Sequence, residues 1–199
     1  MGPSPSRLGI LGGTFDPIHS AHLEMADTVR QALGLERMLL MVANQPWQKE
    51  GTRPLTPAED RYAMVEAAAS TWPGLEPCRL EIDRGGPTYT IDTMRQLHDL
   101  CPQADFVLVV GSDVVAGLDS WRDVEALQAE VTLAIVGRPG IPALAPPPGW
   151  RSVSVPVAPF DISSTELRRR LEAGQSVDGL VPEAVIRCIA QRDLYATGR

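Results

Sequence analysis

The sequence predicts an α/β protein built on a doubly wound parallel sheet. Short runs rich in Leu, Val and Ile recur along the chain, and amphipathic stretches separate them. Such runs fit strands covered on both faces, and their alternation with helices fits right-handed crossovers. A pair of glycines closes the first run, where sheets of this kind bind ligands: outside the carboxyl ends of their strands.

The predicted strands are Leu8–Leu11, Met38–Ala43, Phe106–Val110 and Val131–Val136, with another near Cys78–Ile82 and a weaker one near Ser152–Val155. Helical periodicity marks Ala21–Leu33, Ala58–Ser70 and Ile91–Leu100. Five prolines between Arg138 and Gly149 exclude a helix or a central strand there and indicate an exposed connection. Near the C-terminus, Ser163-x-x-Glu166 has the form of a capping box, opening a helix that would bury Leu167 and Leu171.

At 199 residues, with 44% apolar and 22% charged residues, the chain reads as one domain, residues 1–199. A net charge of −7 argues against a polymeric nucleic acid as partner, since such binding rests on neutralising phosphates. Any anion site must then be a local basic pocket. Cys78, Cys101 and Cys188 are scattered and suggest no disulfide framework. With no signal-peptide pattern and no apolar run near the ~20 residues that span a bilayer, the expected location is the cytoplasm, away from membranes.

The chemistry concentrates in Gly12-Gly13-Thr14-Phe15-Asp16-Pro17-Ile18-His19-Ser20-Ala21-His22. Paired glycines let backbone N–H groups approach an anion, and the helix that follows adds its positive end. His19 and His22 fall on one face of that helix. The segment is not a P-loop, because no Gly-Lys-Ser/Thr follows, and it lacks the third glycine of a dinucleotide fingerprint. A zinc site would need further ligands. The remaining histidine, His98, lies in another helix, so no metal site is expected.

This stretch resembles the first signature of the nucleotidyltransferase superfamily, Gly-x-Phe-Asp-Pro followed by His-x-Gly-His. Ile162-Ser163-Ser164-Thr165-Glu166-Leu167-Arg168 resembles its second. Asp83-Arg84-Gly85-Gly86-Pro87-Thr88-Tyr89-Thr90-Ile91-Asp92-Thr93 is similar to a segment of the bacterial nicotinate-nucleotide adenylyltransferases. The resemblance spans Leu8 to about Tyr195 and departs from the pattern at Ala21, where the superfamily carries glycine.

The resemblance implies a Rossmann-like fold of nucleotidyltransferase type with a small C-terminal helical portion. It also implies transfer of the adenylyl group of ATP to nicotinate mononucleotide, giving deamido-NAD and pyrophosphate. The implied catalytic residues are His19, His22, Lys49 and Arg168. ATP would be held by Gly12, Gly13, Thr14, Phe15, His19, His22, Gly111, Asp113, Arg138, Ile162, Ser163, Ser164, Thr165 and Arg168. The nicotinate nucleotide would meet Asn44, Trp47, Lys49, Thr88, Tyr89, Thr90 and Trp121, with Trp121 on the pyridine ring and the Tyr89–Thr90 turn at its carboxylate. Mg²⁺ is expected to arrive with ATP, since no dense Asp/Glu cluster is visible. Whether the chain forms a homo-oligomer is left open.

Four alternatives share parts of this pattern. An enzyme adenylylating pantetheine phosphate typically has Thr at the position of His19 and lacks the Gly-Gly-Pro-Thr-Tyr-Thr segment. A cytidylyltransferase differs after the Phe-Asp of the first signature, and an inactive nucleotide-binding homologue could be disabled at Ala21. A preference for nicotinamide mononucleotide would differ only in the charge of the group recognised.

Overall fold

The computed structural model describes residues 6–46, 54–137, 145–158 and 161–196. Six parallel strands form its main sheet: β1 (Arg7–Gly13), β2 (Arg37–Val42), β4 (Leu75–Cys78), β6 (Asp105–Gly111), β7 (Val131–Gly137) and β8 (Arg151–Pro156). They lie in the order β4-β2-β1-β6-β7-β8. From β1 the chain winds outward through β2 to β4, then restarts at β6 and winds the other way. The reversal leaves a crevice between the carboxyl ends of β1 and β6, the topological switch point at which such sheets take ligands.

Both faces of the sheet are buried, which explains the nearly continuous apolar runs. Leu11, Val107, Val109, Ala134 and Val136 face one core, packed with Leu23 and Val29 of α1 (Ser20–Ala32) and with Met64 and Val65 of α2 (Ala58–Ala69). Leu167 of α6 (Ser164–Glu172) and Val185 of α7 (Glu183–Gln191) complete that layer. The alternate positions Ile10, Phe106, Leu108, Leu133 and Ile135 face the other core, with Met94 and Leu97 of α4 (Thr90–Leu100) and Leu127 of α5 (Val124–Glu130). This period-2 split assigns each strand residue to one layer.

Two local features differ from the sequence reading. The strand expected near Cys78–Ile82 ends at Cys78, and Leu80–Arg84 forms a short helix, α3. Cys78, Leu80 and Ile82 alternate as a strand would, but the pairing begins earlier, at Leu75 against Met38, and accepts Pro77. Proline is tolerated there because β4 is an edge strand. The second feature is a pair of two-residue strands, β3 (Gln45–Pro46) and β5 (Pro87–Thr88), which pair in parallel and join the loop after β2 to the segment before α4. No described helix is long and apolar enough to cross a membrane.

Candidate active site

The switch point opens into a cavity of about 290 Å³. It is lined by Gly12, Gly13 and Thr14 from the end of β1, by Gly111 from the end of β6, by Thr88, Tyr89, Thr90 and Trp121, and by apolar side chains that include Met41, Met94 and Leu108. Of these glycines Gly13 is sterically required: a Cβ there would lie 2.7 Å from the buried Phe15 ring. A Cβ on Gly12 would meet open space, and one on Gly111 would meet only the end of the exposed Asp113 side chain. Predicted residues from four separate segments thus meet around one space.

Beside the glycine turn, the first helix begins with the two histidines. His19 is the N-cap residue of α1, with extended backbone, and is 5% exposed. Its ring stacks on that of His22 at 3.7 Å between centroids, and Phe15 meets His22 edge-on at 5.2 Å. The His19 N–H donates to Nδ1 of His22 at 3.3 Å. A ring nitrogen that accepts carries no proton, so in the neutral form of His22 the proton lies on Nε2. Phe15 itself is buried, with a left-handed backbone at φ 50°, so it shapes the turn from beneath.

The second signature docks directly onto the first. Arg168 donates through Nη1 to the Asp16 carbonyl at 2.6 Å and through Nη2 to Thr165 Oγ1 at 3.1 Å. Ser164 Oγ donates to the Pro17 carbonyl at 3.0 Å. Ser163 caps α6 by accepting from the Glu166 N–H at 3.2 Å. The reciprocal half of the expected capping box is replaced: the Glu166 carboxylate pairs with Arg169 and Arg170 at 2.8 and 2.9 Å. These exposed pairs hold the Glu166 carboxyl down at about 2. The tail adds a further tie, as the Tyr195 hydroxyl donates to Asp16 Oδ1 at 2.7 Å.

Asn44 is not among the residues lining the cavity but is tied to one of them: it donates its backbone N–H to Thr88 Oγ1 at 3.1 Å and its Nδ2–H to the Gly86 carbonyl at 2.9 Å. Tyr89 is the N-cap of α4, and its carbonyl accepts from the Asp92 and Thr93 N–H groups. The N–H groups of Thr90 and Ile91 precede the helical ladder at the positive end of α4.

A cytidylyltransferase-like family profile matches residues 10–170, which hold the sheet and both signatures. A probable nicotinate-nucleotide adenylyltransferase of Corynebacterium kroppenstedtii is 43% identical over 192 residues, covering 95% of this chain and 90% of that protein. One of Bordetella pertussis is 40% identical over 199 residues, covering 96% and 98%. The chain belongs to the cytidylyltransferase-like family. The fold agrees with the solved nicotinic acid mononucleotide adenylyltransferase of Plasmodium falciparum complexed with NaAD, at a TM-score of 0.74 and 20% identity, over 96% of this chain and 97% of that one.

In this cytidylyltransferase-like chain, several expected residues take places other than the cavity wall. Ile162 packs against the core formed with α1, and the Asp113 side chain is exposed, folded towards Gly111. Trp47, Lys49 and Arg138 lie outside the described residues. Among the described residues there is no group of three or more His, Cys, Asp or Glu able to hold a metal ion. His98 sits far from the site, 2.8 Å from Glu130 and edge-on to Phe106.

Three residues near the site escaped the sequence reading. Glu81 of α3 is buried in the cavity wall, accepts from the Thr93 hydroxyl at 2.6 Å, and has its carboxyl pushed up by burial. Arg122 lines the cavity beside Trp121. Arg61 of α2 is buried beneath the loops after β1 and β2 and hydrogen-bonds to their carbonyls. The sequence signal for Arg122 was its adjacency to Trp121; Glu81 and Arg61 had none.

Burial lowers the His19 imidazole to about 4, so it is neutral at pH 7 and offers hydrogen bonds rather than charge. Because this value lies below the unfolded one of 6.5, the unfolded chain binds the extra proton between them. The corresponding stability, about 3 kcal/mol, is complete above pH 6.5 and is lost as pH falls towards 4. Thermal unfolding should therefore show a fall in midpoint between pH 6.5 and 5 that a His19→Asn variant lacks. Parallel profiles for the two proteins would remove His19 as its source.

Proposed function

We propose that this chain transfers the adenylyl group of ATP to nicotinate mononucleotide, producing deamido-NAD and pyrophosphate. What supports the reading most directly is a single cavity. It joins the Gly12–Gly13–Thr14 turn at the switch point to the Tyr89–Thr90 helix start and Trp121, in a chain akin to nicotinate-nucleotide adenylyltransferases along nearly its whole length.

In the reaction, a phosphate oxygen of the acceptor forms a bond to the α-phosphorus of ATP. The bond from that phosphorus to the bridging oxygen breaks, and pyrophosphate leaves with the electron pair. A phosphate nucleophile is already ionised at neutral pH, so no general base is required. Catalysis then rests on positioning and on donors aimed at the phosphoryl oxygens. His22, through its Nε2–H, and neutral His19 are assigned as such donors. Arg168, Ser164 and Thr165 are assigned to the outer phosphates, together with the first-turn N–H groups of α6. Mg²⁺ enters as part of the ATP substrate and neutralises phosphate charge when bound.

The acceptor ring is assigned to Trp121, and its carboxylate to the Thr90 end of α4, where the helix dipole favours an anion. Lys49 and Trp47 are retained as acceptor-side residues and Arg138 as an ATP-side residue on the sequence resemblance.

The test is pyrophosphate release with MgATP, run in parallel with nicotinate mononucleotide, nicotinamide mononucleotide and phosphopantetheine. Marked preference for the nicotinate substrate is the expected result. Turnover of phosphopantetheine alone would sink the acceptor assignment. Silence with all three would return the chain to a nucleotide-binding role.

A further inference from the structure

Among the described residues lining the cavity, Arg122 is the one with a basic side chain and Glu81 the one with a carboxyl. They are held very differently. Glu81 is 6% exposed and is engaged by the Thr93 and Thr88 hydroxyls, with Arg84 nearby. Arg122 stands at the solvent side, its guanidinium 4.8 Å from the centroid of the Tyr89 ring. That ring belongs to the N-cap residue of α4, so the cation rests beside the positive end of the helix.

The bland account of Arg122 is a surface ion pair with Asp92. The geometry does not favour it. Arg122 Nη1 lies 3.6 Å from Asp92 Oδ2, with both groups substantially exposed. Asp92 is also approached by Arg95 at 3.6 Å. A loose, shared and solvated pair has little energetic weight. The aromatic face of Tyr89 is a better reason for the guanidinium to stay where it is. It leaves the planar fork able to meet an oxyanion.

We propose that Arg122 is a specificity-determining residue: held on Tyr89 at the cavity wall, its guanidinium favours an acceptor ring carrying a carboxylate over one carrying a neutral carboxamide. This rests on the adenylyl-transfer reading above. The cavity explains why a carboxylate is the target rather than the reacting phosphate. Arg122 adjoins Trp121 in sequence and rests on Tyr89 at the α4 start, whereas the glycine turn that suits phosphate lies at the end of β1. The α4 N–H groups supply the directional donors, and Arg122 supplies full charge. A carboxamide can use the former, but its NH₂ is repelled by the latter.

The experiment compares kcat and KM of the wild-type protein, Arg122→Ala and Arg122→Lys with nicotinate and nicotinamide mononucleotides at saturating MgATP. The ratio of the two kcat/KM values should fall about tenfold in Arg122→Ala, mainly through a raised KM for the nicotinate substrate. Arg122→Lys should recover part of the ratio, and added salt should weaken the wild-type preference because the group is exposed. Equal loss on both substrates, as a structural or phosphate-binding role would give, overturns the proposal. So does a nicotinate preference that survives in Arg122→Ala, or a wild-type enzyme that uses both acceptors equally. If the wild-type protein turns over neither pyridine nucleotide, the underlying reading itself has failed and this proposal falls with it.

Discussion

Replacing His22 with alanine should lower kcat about 10²–10³-fold, the loss typical of removing one donor aimed at charge developing in a transition state. The structure explains why this side chain, rather than His19, should dominate. His19 is almost fully buried and neutral, and its Nδ1 is enclosed with no hydrogen-bond partner among the described residues. His22 is half-buried and oriented twice over, by the His19 N–H on its Nδ1 and by the stacked His19 ring. Both constraints point the protonated edge of the ring in one direction before substrate arrives, so little reorganisation remains to be done during the reaction. Folding should suffer little. The variant loses a stacked ring and the edge contact with Phe15, but alanine is the better helix former at this position in α1. Steady-state kinetics beside a thermal melt decides the matter. A melt within a few degrees of wild type with the kinetic loss intact supports a chemical role; full activity would take His22 out of the chemistry.

The sheet could be read from the sequence because burial on two faces leaves a local signature. β1, β2, β6 and β7 are runs of apolar residues, each flanked by polar turns, and their bounds are set within a residue or two by the composition itself. The edge of the sheet was less legible. β4 contains Glu76 and Pro77, and its neighbour α3 imitates strand alternation, so the local pattern pointed a few residues too far along. The signatures at Gly12–His22 and Ile162–Arg168 supplied candidate site residues. They could not reveal that Arg168 and Ser164 dock onto the carbonyls of Asp16 and Pro17, a contact across most of the chain. The pairing of β3 with β5 was equally hidden, since two residues carry no periodicity. Polar groups joined only through the tertiary fold leave no periodic trace. Glu81 looked like one more charge on a strand, and Arg61 like an ordinary arginine on a helix surface.

Arg61 is where that blindness has the largest energetic consequence. It lies in the first turn of α2, where the helix dipole disfavours a cation, so local electrostatics cannot account for it. Tertiary contacts can. The side chain is 1% exposed and donates to four carbonyl oxygens: Thr56 at 2.9 Å, Thr14 at 2.8 Å, Ala43 at 2.6 Å and Asn44 at 2.9 Å. One rigid fork thus joins the glycine turn after β1, the loop after β2, and the entry to α2. Arg61→Met keeps much of the volume but strands these buried carbonyls. The expected cost is about 3–5 kcal/mol, as for breaking other buried charged networks. Arg61→Lys should recover only a minor part, because a compact ammonium on a flexible stem cannot satisfy a planar set of acceptors spread over three loops. Since Thr14 and Ala43, both held by Arg61, line the cavity, kcat measured where the variant remains folded should also fall, beyond the fraction lost to unfolding. Urea denaturation provides the first number and turnover at low temperature the second. A variant within 1 kcal/mol of wild type would mean that the loops hold their geometry without the guanidinium. A destabilised variant with undiminished kcat would confine Arg61 to stability and leave the alignment of the two loops to the sheet alone.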